Sequence, residues 1–173
     1  MHVQFSPDVN PRAPWRAPYR FTPQPGQTIT FGTFTYTWDE NLNLVRASTT
    51  DISLGARDPV MYAGVPGMQA GEDYGHLLGA DFGNIDAVIG RYGGFRQASS
   101  VNRPLGVAPA LWYNAERIAL ATALQLKQSA QPFRVVAEAR GFVNGVPAET
   151  RIFVESSNAI VYDSGWIANP IVP

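Results

Sequence analysis

Two stretches of this chain alternate apolar and polar residues with a period of two, and one stretch between them repeats apolar residues with a helical period. From Thr28 to Trp38 the run TITFGTFTYTW is rich in β-branched and aromatic residues, and Asn43 to Leu54 continues that bias after the turn-forming Asp39-Glu40-Asn41. This predicts a β-hairpin. In a second one, Phe133, Val135, Ala137 and Ala139 alternate with Arg134, Val136, Glu138 and Arg140, Asn144-Gly145 supplies the turn, and Thr150 to Glu155 returns. One face is largely apolar and the other mostly charged, as in a sheet with one wet side. Between the hairpins, Pro109 to Gln128 places Trp112, Ala115, Ala119, Ala123 and Leu126 at helical spacing, while Leu111, Ile118, Leu120 and Leu124 widen the apolar surface. With Pro109 suited to the first turn, a mostly buried helix is expected. The stretch 58–108 is rich in glycine and lacks periodicity; so long a loop in a compact domain is where function is expected to reside.

A length of 173 residues with 45% hydrophobic and 16% charged residues fits one globular domain. Six prolines among residues 1–26, set beside Trp15, Tyr19 and Phe21, exclude a regular helix or central strand there. Residues 1–26 are therefore expected to form a Pro-rich arm or linker and residues 27–173 the domain. No apolar run nears the roughly 20 residues of a membrane-spanning helix, and the N-terminus lacks a signal-peptide pattern, so a soluble chain without a membrane partner is expected. The absence of cysteine removes disulfides, thiolate nucleophiles and cysteine-based zinc sites. Any metal must then bind oxygen or imidazole nitrogen.

The net charge of -1 gives no global attraction to a polyanion, but local charge alters the picture. Between Asp86 and Glu116 there is no acidic residue, and Arg91, Arg96 and Arg103 fall in that gap. Of the 13 basic residues 12 are arginine, whose planar fork suits phosphate oxygens. A solvated, arginine-biased loop would read the same way.

Of the two histidines, His2 sits at the extreme N-terminus, which leaves His76, in Gly71-Glu72-Asp73-Tyr74-Gly75-His76-Leu77-Leu78-Gly79, as the imidazole able to act as a base. Asp73 could orient that ring or its loop, or serve structure alone. No G-x-S-x-G elbow supports a serine nucleophile, and the H-x-E and P-C-x-x-C elements of a zinc deaminase are lacking. What is left is a hydrolase in which His76 activates water and an oxygen-liganded metal handles the charge. Glu116, one turn after Trp112, needs a partner on so apolar a helix: an arginine of the sheet, or a metal's water shell.

Three elements, in order, resemble the DNA/RNA non-specific endonuclease family, the ββα-metal nucleases that also occur as bacterial toxin domains. Asp73-x-Gly75-His76 is similar to the family's D-x-G-H, Gln97-x-x-x-x-Asn102 to its Q-x-x-x-x-N, and Trp112-x-x-x-Glu116 to its W-x-x-x-E. The resemblance spans roughly Thr28 to Asn158 and implies an α+β, ββα-metal nuclease-like fold: an antiparallel sheet with one main buried helix and long catalytic loops. It implies His76 as general base, Asn102 as metal ligand through its amide oxygen, Glu116 beside the metal's water shell, and Gln97 shaping the metal loop. Arg57 takes the place of a phosphate-binding arginine, and Arg91, Arg96 and Arg103, with Gln97, are expected at the substrate. The implied cofactor is Mg2+, with Mn2+ as substitute. The implied substrate is DNA, with RNA as the second polymer, and the implied partner is a cognate immunity protein, acidic where it covers Arg91 to Arg103. A bacterial protein, secreted or delivered into target cells as a toxin domain, is the expected setting.

Three features depart from the family pattern. Tyr74 stands where many relatives carry arginine, Gly93-Gly94-Phe95-Arg96 replaces the asparagine and proline before Gln97, and Arg103 to Pro109 reads as an insertion before Trp112. They keep a second reading open, a catalytically degenerate relative that binds a protein partner.

Overall fold

The computed structural model describes residues 22–53, 67–83, 90–104 and 109–171; the side chains of residues 80, 90 and 91 are not described. Arg57 and the arm through residue 21 lie outside these residues.

A seven-stranded antiparallel sheet dominates: β1 (Thr28–Phe31), β2 (Phe34–Trp38), β3 (Leu44–Thr49), β6 (Arg134–Arg140), β7 (Glu149–Ser156) and β8 (Ala159–Asp163) lie side by side in that order. The seventh, β9 (Ile167–Ala168), pairs with the start of β7. A separate hairpin, β4 (Glu72–His76) and β5 (Gly94–Ala98), falls within the stretch read as a loop, and runs directly into the short helix α1 (Ser99–Asn102). The main helix, α2 (Leu111–Gln128), lies mainly against β7 and touches β6 and β8.

The first predicted hairpin is in fact a three-stranded meander. Gly32-Thr33 forms a two-residue turn with Phe31 opposite Phe34, and Gly32 takes the positive φ of 56° that such a turn asks of its first residue. The Asp39 turn is as expected, its carboxylate accepting the backbone N–H groups of Asn41 and Asn43 at 2.8 and 2.9 Å. The second hairpin is observed with an Asn144-Gly145 turn, both residues at positive φ (50° and 77°) between the bridged Val143 and Val146. The return strand then turns again at Ser157-Asn158 to form β8, which the sequence patterning did not indicate.

Burial follows the two periods except at the paired Val136 and Phe153, which are buried on the face of the charged residues. Tyr36, Trp38, Ala47, Val135, Ala137, Ile152 and Val154 enter the core, while Arg46, Glu138, Arg140, Glu149, Arg151 and Asp163 pair on the other face. Such exposed ion pairs add little each. Phe34, Tyr36 and Trp38 stack in a row along β2, with ring centroids 6.4 and 6.1 Å apart. Helix α2 buries Trp112, Ala115, Ala119, Leu120 and Ala123 but leaves Leu111 and Ile118 about half exposed, so it is an amphipathic cover rather than a mostly buried helix. No described helix is long and apolar enough to cross a membrane.

The Ser157-Asn158 turn holds both residues at positive φ (50° and 65°), a conformation that serine adopts at a cost. Ser157→Asn combined with Asn158→Gly should stabilise the protein by about 0.5–1 kcal/mol, raising its melting temperature by roughly 1–4 °C. Thermal denaturation followed by circular dichroism checks this; an unchanged or lower midpoint contradicts it.

Candidate active site

The candidate residues gather on the β4–β5 hairpin and the two helices that follow it. In its register Glu72 faces Ala98, Asp73 faces Gln97, Tyr74 faces Arg96, Gly75 faces Phe95 and His76 faces Gly94. Strand alternation therefore puts Asp73 on the face shared with Gly75, Phe95 and Gln97, and His76 on the face shared with Tyr74 and Arg96.

Asp73 and His76 thus project to opposite faces, and Asp73 does not orient the imidazole. Its carboxylate turns to α1 instead: Oδ1 accepts Ser99 Oγ at 2.8 Å, while Oδ2 accepts Asn102 Nδ2 and faces Arg103 Nε, both at 3.1 Å. Against the half-buried His76 ring packs Tyr74, edge to face, with centroids 4.7 Å apart. The same tyrosine lies over Gly94, where an added Cβ would come within 2.7 Å of Tyr74 Cζ. Glycine at 94 is what lets that ring lie beside His76.

Gly75 has a parallel role on the other face, since a Cβ there would fall 2.7 Å from the Cβ of Gln97. Gln97 is fully buried, and among the described residues neither end of its amide has a hydrogen-bond partner. Its side chain is enclosed between Gly75 and the core.

The acid-free stretch is not an isolated positive strip. Arg96 donates through Nε and Nη2 to both carboxylate oxygens of Glu72, at 2.8 and 2.7 Å, and Arg103 faces Asp73. Arg96 is largely buried by this pairing, whereas 58% of the Arg103 side chain is exposed. The Arg96 guanidinium holds the Glu72 carboxyl below the usual carboxylate range, its hydrogen bonds outweighing the opposing effect of burial.

Asn102 ends α1, where Arg103 leaves helical geometry at φ -150°. Its Nδ2 is engaged by Asp73, while among the described residues Oδ1 has no partner. Asn102 thus offers a neutral oxygen donor. No group of three or more His, Asp or Glu side chains is placed to hold a metal among the described residues. A hard cation that retains most of its waters fits this sparse donor set; zinc or a caged calcium does not. Glu116, half-buried on α2, extends its Oε1 to 3.0 Å from where a Cβ on Gly79 would stand, so its carboxylate reaches the segment just after His76. Only part of the 103–109 segment is described, and α1 and α2 touch across it.

Polar and apolar contacts fasten this unit to the sheet. Trp38 Nε1 donates to the Tyr92 carbonyl at 3.0 Å, Phe34 packs against Gly83, and the buried Asn169 side chain joins β5 to the β6–β7 connection. Asn169 accepts from Ala98 N at 2.9 Å and donates to the carbonyls of Arg96 and Pro147 at 3.1 and 3.0 Å. Sequence reasoning singled out none of these.

The fold is similar to that of NucA. The crystal structure of NucA from Streptococcus agalactiae with magnesium ion bound superposes with a TM-score of 0.52 at 13% identity, over 79% of this chain and 70% of that one. The structure of NucA with no metal bound gives 0.50 at 15% identity over the same shares. At such identity the likeness concerns the fold alone. No protein-family model matches the sequence, and no curated protein does.

Gly75→Ala should destabilise the protein by about 1–3 kcal/mol, because Gln97 is enclosed and cannot yield; chemical denaturation measures this, and a loss under 0.5 kcal/mol contradicts it. Because the folded Glu72 carboxyl is held low, its stabilising effect is full above the ordinary glutamate value of about 4.3 and disappears as pH falls through the folded value. Melting temperature should therefore fall more steeply below pH 4.5 in the native protein than in Glu72→Gln, and parallel curves would contradict the assignment.

Proposed function

We propose that this protein is a metal-dependent nuclease that hydrolyses phosphodiester bonds of DNA, with RNA as a second substrate. The observation that carries the proposal is the Asn102 carboxamide, its nitrogen held by Asp73 and its oxygen without a partner among the described residues, on the helix that directly continues the strand pair bearing His76. A fold similar to that of NucA, a protein crystallised with magnesium, supports it.

In this reading Asn102 holds Mg2+, or Mn2+ in its place, through Oδ1. When bound, the ion would supply positive charge to offset the negative charge that develops on the phosphoryl group and the leaving oxygen. His76 accepts the proton of the attacking water, its ring braced by Tyr74. Glu116, reaching from α2 to the turn after β4, orients the water shell from the side of the helix. Arg103 is the exposed phosphate contact, its guanidinium steadied by Asp73; Arg96, committed to Glu72, acts by fixing the hairpin. Phosphate contacts carry no base information, which suits a nuclease of broad range. A toxin or effector role, with an immunity protein as partner, rests on the sequence resemblance.

Purified protein with MgCl2 should degrade supercoiled plasmid, and EDTA should stop it. His76→Ala should lower the rate by 10²-fold or more while keeping the melting temperature within about 2 °C. Asn102→Ala should lose both cleavage and the thermal stabilisation given by Mn2+. Intact nucleic acid, or equal cutting by His76→Ala, would refute the mechanism. Absence of any metal-dependent stabilisation would favour the degenerate binding module.

A further inference from the structure

We infer that Asp73 is a positioning residue for Asn102: it selects the one orientation of the amide that presents oxygen rather than NH2 to a cation. The inference rests on the reading of Asn102 as metal ligand. An asparagine amide is nearly symmetric in shape and can present either end, but only its oxygen can ligate a cation, whereas its NH2 group repels one. An ionised carboxylate accepts hydrogen bonds and donates none. Facing Asn102 at 3.1 Å, Asp73 Oδ2 can receive the NH2 end alone, so the pairing breaks the symmetry and leaves Oδ1 over.

The backbone makes this selection effective. Asp73 lies in the second position of β4, paired with Gln97, and α1 begins two residues after Gln97. Ser99, whose Oγ donates to Oδ1 of the same carboxylate at 2.8 Å, begins α1, and Asn102 is the last residue of that four-residue helix. The carboxylate therefore bridges the strand that carries His76 to the helix that carries the ligand. Released from Asp73, Asn102 would sample several χ1 wells and both amide orientations, roughly five or six states of which one is competent, and apparent affinity falls with the competent fraction.

The test is titration calorimetry with MnCl2 on the whole chain, without nucleic acid. Asp73→Ala should weaken Mn2+ about fivefold. Asp73→Asn, which keeps an acceptor oxygen but loses the charge, should recover affinity to within about twofold of the native protein. Ser99→Ala, which removes a bond to the same carboxylate but none to Asn102, should leave affinity within twofold. Native affinity in Asp73→Ala would overturn the inference, and so would a loss in Asp73→Asn or Ser99→Ala as large as in Asp73→Ala. If Asn102→Ala binds Mn2+ normally, the ligand reading itself falls; if it loses the ion while Asp73→Ala keeps it, only the role of Asp73 falls. Should Asp73→Ala not fold, NMR of the native protein decides. The Asn102 side-chain amide proton that faces Asp73 should lie clearly downfield of its position in a solvated asparagine, and a pair of resonances at the two ordinary solvated positions would overturn the assignment.

Discussion

A two-stranded hairpin has too little pairing to hold a reactive side chain in place by itself. The geometry of this molecule depends on how β4 and β5 are fastened to the larger sheet. The ties are few and polar: an indole N–H given to the Tyr92 carbonyl, and one asparagine side chain serving three backbone groups. Apolar contacts supply the rest, since Leu77, Leu78, Phe82 and Phe95 join the same core as Trp38 and Trp112. Directional bonds inside a buried surround hold a position better than apolar packing alone, because each has an unsatisfied group as its alternative. The sheet can accordingly be described as a frame, with its wet face left to ion pairs of little energetic weight.

Within the hairpin, small residues define the shape. Gly75 and Gly94 lie on opposite faces, and each is overlain by a larger neighbour, Gln97 in one case and Tyr74 in the other. What reads in the sequence as a departure, tyrosine in place of arginine and a glycine pair ahead of Phe95, becomes in three dimensions one packed unit around His76. The carboxylates Glu72 and Asp73, adjacent in sequence, diverge to opposite faces and each takes an arginine from the acid-free stretch.

Legibility in the sequence followed periodicity. β6, β7 and α2 were readable because their burial repeats every two or 3.6 residues over many residues. The turn at Gly32-Thr33 was also present in the pattern, as a change of phase: apolar residues fall at odd positions through Phe31 and at even positions from Phe34. The hairpin bearing the candidate site was hidden, because Glu72, Asp73, Tyr74, Gly75 and His76 are chosen for partners and not for alternation. β8 was hidden because Ile160 and Val161 are both exposed, which cancels the contrast between faces. His76, Asn102 and Glu116 could be named from motif spacing. The partners of Asp73 could not, since Ser99 and Asn102 lie 26 and 29 residues away and no local rule ties them to it.

Asn169 has one more consequence, in time and not in space. Its bond to Ala98 spans 71 residues, and the segment that carries it is the last to be made of those described here. The hairpin is synthesised early but cannot be secured until the chain beyond β9 has returned to it, a closure of long range and correspondingly slow. Until Asn169 has been made, β5 lacks this tie, so the strand pair takes its final place against the sheet well after its own residues have been joined.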